Sequence, residues 1–153
     1  MKALILKTDN FIDPLRGVAD KIATPLLYLA LRLYVAEDFF RSGIGRLKDL
    51  LNGSWDTQLF LFELEHPVPG LDPTVAAPLT MGAELVLPVL LAFGLLGRVG
   101  AAGLFVMALV IQLTYQENFQ HILWMTMTTV IFIRGPGPLS LDFLILKWIH
   151  KNK

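Results

Sequence analysis

The residues of this sequence that could carry chemistry are ionisable side chains placed inside long apolar stretches. Arg32, Glu37, Asp38 and Arg41 fall within one such stretch, and Glu84 lies in the middle of another. A charged group at membrane depth costs about 3 kcal/mol even on the scales derived from insertion experiments. A chain that keeps several such groups must bury them against partners, so these residues are the first candidates for a functional site.

Two of these residues are predicted to meet. If each residue of a helix rises ~1.5 Å, Arg32 lies about 18 Å below the outer end of its stretch and Glu84 about 15 Å below the outer end of its own. Antiparallel neighbouring helices would bring the two side chains to the same depth, where an ion pair is the least costly arrangement. The sequence therefore predicts a buried Arg32–Glu84 pair, and both a structural and a functional reading of it stay open.

A second polar set is predicted nearer the outer face of the membrane. Glu37 and Arg41 are four residues apart and can pair along one helix. Convergence of Glu37, Asp38, Arg41, Gln112 and His121 would form a polar pocket open to the outer leaflet. An acid, a base and a histidine in one pocket can manage protons for a quinone or another lipid-soluble substrate. The alternative is a polar network that fixes helix register, with His121 as an interfacial residue at a helix end.

Methionines are the remaining candidate ligands. Met81, Met107, Met125 and Met127, together with His121, offer soft donors of the kind that Cu(I) prefers. Methionine also packs apolar cores in general, so core packing is the favoured interpretation and no metal site is predicted. No P-loop, dinucleotide-binding fingerprint or HExxH motif occurs.

The composition sets the class of protein that must position these residues. Of the 153 residues, 54% are hydrophobic and only 17% charged, and the mean hydropathy is +0.58. The net charge is zero, and nothing argues for nucleic acid as a partner. The chain has no cysteine, which excludes a disulfide, a thiolate metal site and an internal dithiol relay. These features predict one all-α membrane domain over residues 1–153, with the lipid bilayer as its surroundings.

The apolar segments predict a polytopic four-helix bundle. The predicted spans are residues 24–44, 74–96, 100–115 and 119–134, each long enough or nearly long enough to cross a bilayer. Short interfacial helices are predicted at both termini and in the first loop: a face of Leu15, Val18, Ala19 and Ile22, the apolar run 59–62 after Trp55, and Leu141 to Ile149 after a Ser140 cap.

Loop charges predict the orientation. With four spans, both termini and the 97–100 turn share one side, which carries nine Lys and Arg residues against three on the other side. Because cytoplasmic loops are enriched in Lys and Arg, both termini are predicted to be cytoplasmic in a bacterial inner (plasma) membrane.

The residues of the first span resemble a known family signature. Arg32, Phe39, Phe40, Ser42, Gly43 and Arg46 fit R-x(6)-F-F-x-S-G-x-x-[KR], the first-helix signature of the DoxX family. Ala83-Glu84-Leu85 and the closing run from Gly135 to Asp142 resemble that family as well, so the resemblance covers about residues 24 to 142. The loop around Trp55 and Pro67, with Val110-Ile-Gln112, is similar to a subgroup found beside peptide-modifying iron enzymes and copper-linked peptides.

The resemblance implies a small four-helix inner-membrane protein associated with redox chemistry. Relatives are described as subunits of thiosulfate:quinone oxidoreductase or as membrane parts of thiol and redox-stress complexes, which implies a quinone-linked or oxidoreductase-docking subunit with a protein partner or an oligomeric state. Arg46 replaces the family's frequent lysine and cannot act as a proton donor. A membrane anchor or partner for a modified metal-binding peptide is the alternative, transport of a small solute is a third reading, and whether the chain is an enzyme stays open.

Overall fold

The computed structural model describes residues 13–14, 16–65, 67–115 and 117–152, and no strand occurs in these ranges. A π-helical turn, Ala19–Ala23, is followed by six α-helices. They are α1 Thr24–Leu51, α2 Trp55–Leu64, α3 Pro73–Phe93, α4 Gly97–Thr114, α5 Phe119–Arg134 and α6 Leu141–Lys151. The all-α class is confirmed, and the chain holds more helices than a plain four-helix bundle.

Side-chain caps fix where three of these helices begin. Asp72 accepts a hydrogen bond from the Thr74 amide just before Pro73, the first residue of α3. The Asn118 side chain accepts from the Gln120 amide at the start of α5, and the Ser140 hydroxyl accepts from the Phe143 amide at the start of α6. Such caps satisfy amide groups that have no partner within the helix, so the sequence determines these boundaries locally.

The helix bounds agree with most of the predicted segments. α5 coincides with residues 119–134, and α3 and α4 lie within three residues of the predicted ends. α1 differs, because it continues to Leu51 instead of ending near residue 44. The predicted end lies between two glycines, and the structure shows that Gly43 packs against α3: a Cβ placed there would lie 2.9 Å from the Glu84 Cβ.

The predicted interfacial helices are partly covered by the described residues. α2 and α6 occur where the sequence placed short apolar helices, and α6 has no buried residue. At the N-terminus, Val18 and Ile22 are exposed apolar side chains on a helical segment, whereas Leu15 of the same predicted face lies outside the described residues. Among the described helices, α3 and α4 are the two that are both long enough and apolar enough to cross a membrane on their own.

The long helices pack around one apolar core. α1 contacts α3 and α5, α3 contacts α4, α4 contacts α5, and α2 covers one end of α1 and α3. The core residues are Val35, Phe39, Leu91, Ala101, Leu104, Ala108 and Ile131. Gly100 brings α4 close to α3, because its Cβ position lies 3.1 Å from the Leu87 carbonyl oxygen. Small residues at such crossings let helix backbones approach without large side chains between them.

Candidate functional site

A cavity of about 610 Å³ lies between α1, α2, α3, α4 and α5. This volume falls in the range of sites that hold small organic molecules. Its lining is mainly apolar and comprises Phe62, Val68, Leu79, Ala83, Leu87, Gly103, Val106, Met107, Val110, Ile111 and Trp124. The polar lining residues are Ser42, Arg46, Thr80, Glu84, Thr114, Tyr115 and His121. An apolar cavity with a few polar groups is the usual form of a ligand site.

One wall of the cavity is a buried ion pair between α1 and α3. Arg46 Nε donates to Glu84 Oε2 at 2.8 Å, and the Ser42 hydroxyl donates to Glu84 Oε1 at 3.1 Å. Glu84 is only 2% exposed, so both of its oxygens are satisfied away from water. Ser42 and Arg46 are four residues apart, which places them on the same face of α1. Gly43 completes the arrangement, since its missing side chain lets α1 approach Glu84.

Arg46 is itself held by α2. Its Nη1 donates to Gln58 Oε1 at 2.6 Å, and Gln58 Nε2 donates in turn to Asp49 Oδ2 at 2.6 Å. The guanidinium carbon also lies 4.9 Å from the centre of the Phe62 ring, which is cation–π distance. α2 therefore fixes the orientation of the arginine that pairs with Glu84.

α5 contributes a second polar part of the lining. His121 Nδ1 lies 3.0 Å from Gln112 Oε1 on α4, and the His121 and Trp124 rings are 5.3 Å apart. Behind Trp124, its indole Nε1 donates to Asp38 Oδ2 at 2.9 Å. The same carboxylate oxygen accepts from Gln120 Nε2 at 3.1 Å. These contacts fix His121 and Trp124 at the edge of the cavity.

The predicted ion pair between Arg32 and Glu84 is not formed. Arg32 is fully buried, but its Nη1 donates to the Ala92 carbonyl at 3.1 Å and its Nη2 to the Leu139 carbonyl at 2.5 Å. Gly43 is the residue of α1 that lies level with Glu84, and the distance from Arg32 to Gly43 is about 16 Å of helix rise. The depth calculation failed because α1 extends beyond the end that was assumed for it.

Arg32 therefore belongs to a separate polar cluster at the other end of the bundle. The Asp142 carboxylate accepts from the Leu96 and Gly97 amides, each at 2.8 Å, and its charge acts on Arg32. Together, Arg32 and Asp142 attach the segment before α6 to α1 and to the α3–α4 turn. Arg32 does not line the cavity.

The predicted outer pocket forms only in part. Gln112 and His121 are in contact, and Asp38 lies behind Trp124 in the same region. Glu37 and Arg41 pair with each other, with exposed side-chain fractions of 67% and 77%. Glu37 lines a different groove, between α1 and α3. Successive helix residues are rotated by about 100°, so Glu37 and Arg41 lie on a different face of α1 from Asp38.

The methionines pack as core residues. Met107, Met125 and Met127 lie against the apolar core cluster, and Met107 also lines the cavity. Met81 lies half-buried on α3 outside the cavity lining. Within the described ranges, no group of three or more His, Asp and Glu side chains is arranged to hold a metal ion.

Sequence reasoning missed the partner of Glu84. Arg46 stood in the family signature, but neither its ion pair nor its contacts with Gln58 and Asp49 were predicted. A usable signal was present, because Ser42 and Arg46 have helical i, i+4 spacing and Glu84 required a cation at its own depth.

Comparison with known proteins identifies relatives of the chain. The DoxX family model matches residues 27–117, a range that includes Arg32, Ser42, Gly43, Arg46 and Glu84. An uncharacterized protein of Haemophilus influenzae (strain ATCC 51907 / DSM 11121 / KW20 / Rd) is 26% identical to this chain in an alignment 140 residues long. The match covers 82% of this chain and 87% of that protein. No solved structure matches the chain.

Proposed function

Because the chain belongs to the DoxX family of membrane proteins, we propose that it binds a quinone in the cavity and serves as a quinone-linked subunit for a partner oxidoreductase. The observation that carries this proposal is the apolar cavity of about 610 Å³ with the buried Arg46–Glu84 pair in its wall. A quinone combines an apolar ring and tail with two carbonyl oxygens that accept hydrogen bonds, so it needs this combination of surfaces.

The membrane placement that we propose has four crossings. α3 and α4 are long and apolar enough to cross by themselves. α1, with 28 residues, is long enough to cross the bilayer. Arg32, the charge in α1 that would be most costly to expose to lipid, is fully buried within the protein. α5 has 16 residues, about 24 Å of helix, and can cross where the bilayer thins locally. Both termini then lie on the cytoplasmic side of the inner membrane, in agreement with the excess of Lys and Arg there.

The position of the cavity supports entry of its ligand from the bilayer. Leu79 on α3 and Val106 on α4 line the cavity and are also 60% and 56% exposed. The cavity therefore reaches the outer surface of the protein between these two helices. In the proposed placement this surface faces lipid, which is where a quinone with an isoprenoid tail resides.

The polar lining has the groups that quinone binding requires. An arginine side chain has five N–H donors, and Arg46 Nε and Nη1 make the bonds to Glu84 and Gln58 while leaving further N–H groups for a carbonyl oxygen of the ligand. When the partner oxidoreductase passes two electrons to the bound quinone, the two quinone oxygens take up two protons, and Glu84 and His121 are lining side chains through which these protons can pass. The apolar lining excludes water and strengthens these polar interactions.

The direct test is to measure the quinone that co-purifies with the protein. The protein is extracted in mild detergent, and its quinone content per chain is determined by organic extraction and mass spectrometry. Ala83→Phe fills the cavity, whereas Glu37→Gln changes an exposed acid outside it. We expect wild type and Glu37→Gln to carry similar amounts of quinone, and Ala83→Phe to carry about tenfold less, equivalent to about 1.4 kcal/mol of binding free energy.

A second variant, Arg46→Gln, removes the cation from the wall and leaves the cavity volume. It is expected to weaken binding of a short-chain benzoquinone added to the purified protein, as measured by the shift in melting temperature. Wild-type protein that carries no quinone and is not stabilised by the added benzoquinone would contradict the proposal. Equal binding by wild type and Ala83→Phe would show that the cavity is not the site.

A further inference from the structure

A second groove, of about 750 Å³, lies at the end of the molecule remote from α2. It is bounded by the start of α4, the end of α5, the Gly135–Pro138 loop and α6. Two arginines line it, Arg98 from the first turn of α4 and Arg134 from the last residue of α5. Neither arginine takes part in the cavity described above.

The fold holds the Arg98 side chain close to Arg134. Arg98 Nη2 donates to the Ile133 carbonyl at 3.4 Å. A Cβ placed on Gly135 would lie 3.7 Å from Arg98 Nη2 and 3.8 Å from its Nε. The Arg98 guanidinium therefore lies against the two residues that flank Arg134 in the chain. Within residues 13–14, 16–65, 67–115 and 117–152, neither arginine has an acid at ion-pair distance.

The acid that lines the groove is already engaged. Both oxygens of Asp142 accept hydrogen bonds from the backbone amides of Leu96 and Gly97. The negative charge of Asp142 also interacts electrostatically with Arg32. The two exposed arginines consequently give the groove a net positive charge, which favours an anionic ligand.

The rest of the groove is apolar and open. Leu96, Val99 and Leu146 are 57%, 56% and 56% exposed, and Phe143 lies beside them. α6 has no buried residue, so it lies on the surface of the protein with large apolar side chains accessible. A strip of accessible apolar side chains next to two cations matches an acyl chain next to an anionic headgroup.

We propose that this groove binds an anionic phospholipid, with Arg98 and Arg134 on its phosphate and the acyl chain along Leu96, Val99 and Leu146. Arginine suits phosphate because its planar fork donates two parallel hydrogen bonds. Basic pockets between helices at the cytoplasmic edge of a membrane are typical sites for such headgroups. The proposal uses the membrane placement above and is independent of quinone binding.

The test compares defined lipids added to the purified protein in uncharged detergent. The probes are phosphatidylglycerol, phosphatidylcholine and inorganic phosphate, and the measurements are lipid affinity by native mass spectrometry and the shift in melting temperature. Phosphatidylglycerol is expected to bind wild type more tightly than phosphatidylcholine does. Each of Arg98→Gln and Arg134→Gln should weaken phosphatidylglycerol binding about fivefold, and the double variant about 30-fold.

Two control variants separate this groove from general attraction to a basic surface. Lys147→Gln removes a cation from α6 outside the groove lining, and Arg41→Gln removes an exposed arginine on α1. Both should bind phosphatidylglycerol like wild type. The Arg98→Lys and Arg134→Lys variants keep the charge but lose the two parallel hydrogen bonds, so their affinity should lie between those of wild type and the glutamine variants. They provide a folded reference if the double glutamine variant does not fold.

Three results would overturn the proposal. The first is equal binding of phosphatidylglycerol and phosphatidylcholine by wild type. The second is a loss of affinity in Lys147→Gln as large as in Arg98→Gln. The third is a melting-temperature shift with inorganic phosphate equal to that with phosphatidylglycerol, which would identify a site for free anions instead of lipid.

Discussion

Arg32 and Glu84 are both buried charges on neighbouring helices, yet the fold neutralises them in different ways. Arg32 donates to two backbone carbonyls, those of Ala92 and Leu139, while its own Nε has no hydrogen-bond partner. Glu84 is held by two side chains, Arg46 and Ser42, and it borders a cavity. Backbone partners cannot change without moving a helix, whereas side-chain partners can exchange for a ligand.

This difference assigns distinct roles to two residues that look equivalent in the sequence. Arg32 joins α1 to the end of α3 and to the segment before α6, and it has no contact with the cavity. Its charge therefore serves the assembly of the fold. Glu84 belongs to a polar group that faces open space and is suited to binding. The following predictions test this division, beginning with the largest expected effect.

Replacing Arg32 by Met should be the most damaging single change. It leaves two buried carbonyl groups without donors and removes the link to the Leu139 segment. Removing one partner from a buried charged network typically costs about 3–5 kcal/mol. The free energy of unfolding in mixed detergent micelles measures this loss. A variant as stable as wild type would show that Arg32 does not hold the fold together.

Two glycines of α1 provide a matched pair for the contact between α1 and Glu84. At Gly43 an added Cβ would lie 2.9 Å from the Glu84 Cβ, and at Gly45 it would meet nothing within 4 Å. Gly43→Ala should destabilise the protein by about 1–3 kcal/mol through overpacking. Gly45→Ala should stabilise it by up to about 1 kcal/mol, because alanine is the better helix former. The same unfolding measurement applies, and equal effects of the two substitutions would contradict the close helix contact.

Replacing Glu84 by Gln should affect binding more than stability. The amide keeps hydrogen bonds to Ser42 and Arg46 but loses the charge, at a cost of about 1–2 kcal/mol in the free energy of unfolding. Quinone content per chain and melting temperature should both be measured in this variant and in Arg32→Met. If Glu84→Gln lowered stability as much as Arg32→Met and left quinone content unchanged, Glu84 would have a structural role only, which would contradict the proposed division of roles.

Replacing Asp72, an exposed acid, by Ala should have the smallest effect on stability. The hydroxyl and amide of Thr74 donate to its carboxylate and lower its pKa below the ordinary value of 3.8. Because the folded-state pKa lies below the unfolded one, this contribution to stability is complete above the unfolded value and is lost as the pH falls through the folded value. Melting temperatures at pH values between about 5 and 2 should therefore converge for wild type and Asp72→Ala. A difference that stays constant over this range would contradict the assignment.

The helices could be predicted from the sequence because their signals are local. Ser140 is a predicted cap whose side chain reaches the Phe143 amide three residues away, and α6 begins directly after it. The apolar run from residue 119 likewise predicts the start of α5. The end of α1 was not predictable in this way. Gly43 and Gly45 look like helix breakers in the sequence, and only the position of Glu84 on another helix explains Gly43.

The site was harder to predict because depth along a helix does not specify which partner a side chain faces. Arg32 and Glu84 were matched by counting residues, but Arg46, farther along α1, is the arginine that faces Glu84. Glu37 and Asp38 are adjacent in the chain, yet one is exposed beside Arg41 and the other accepts from Trp124. The relative rotation of the helices, which results from packing of the whole bundle, decides these contacts.

The bond between Arg32 and Leu139 has a consequence for biosynthesis. The two residues are 107 positions apart, so the ribosome makes the arginine long before it makes the carbonyl that accepts one of its hydrogen bonds. Until Leu139 has been synthesised, α1 carries a cation that lacks this acceptor. This contact therefore forms only after residue 139 has been made, and a chain truncated before that position should be less stable against unfolding than the full chain.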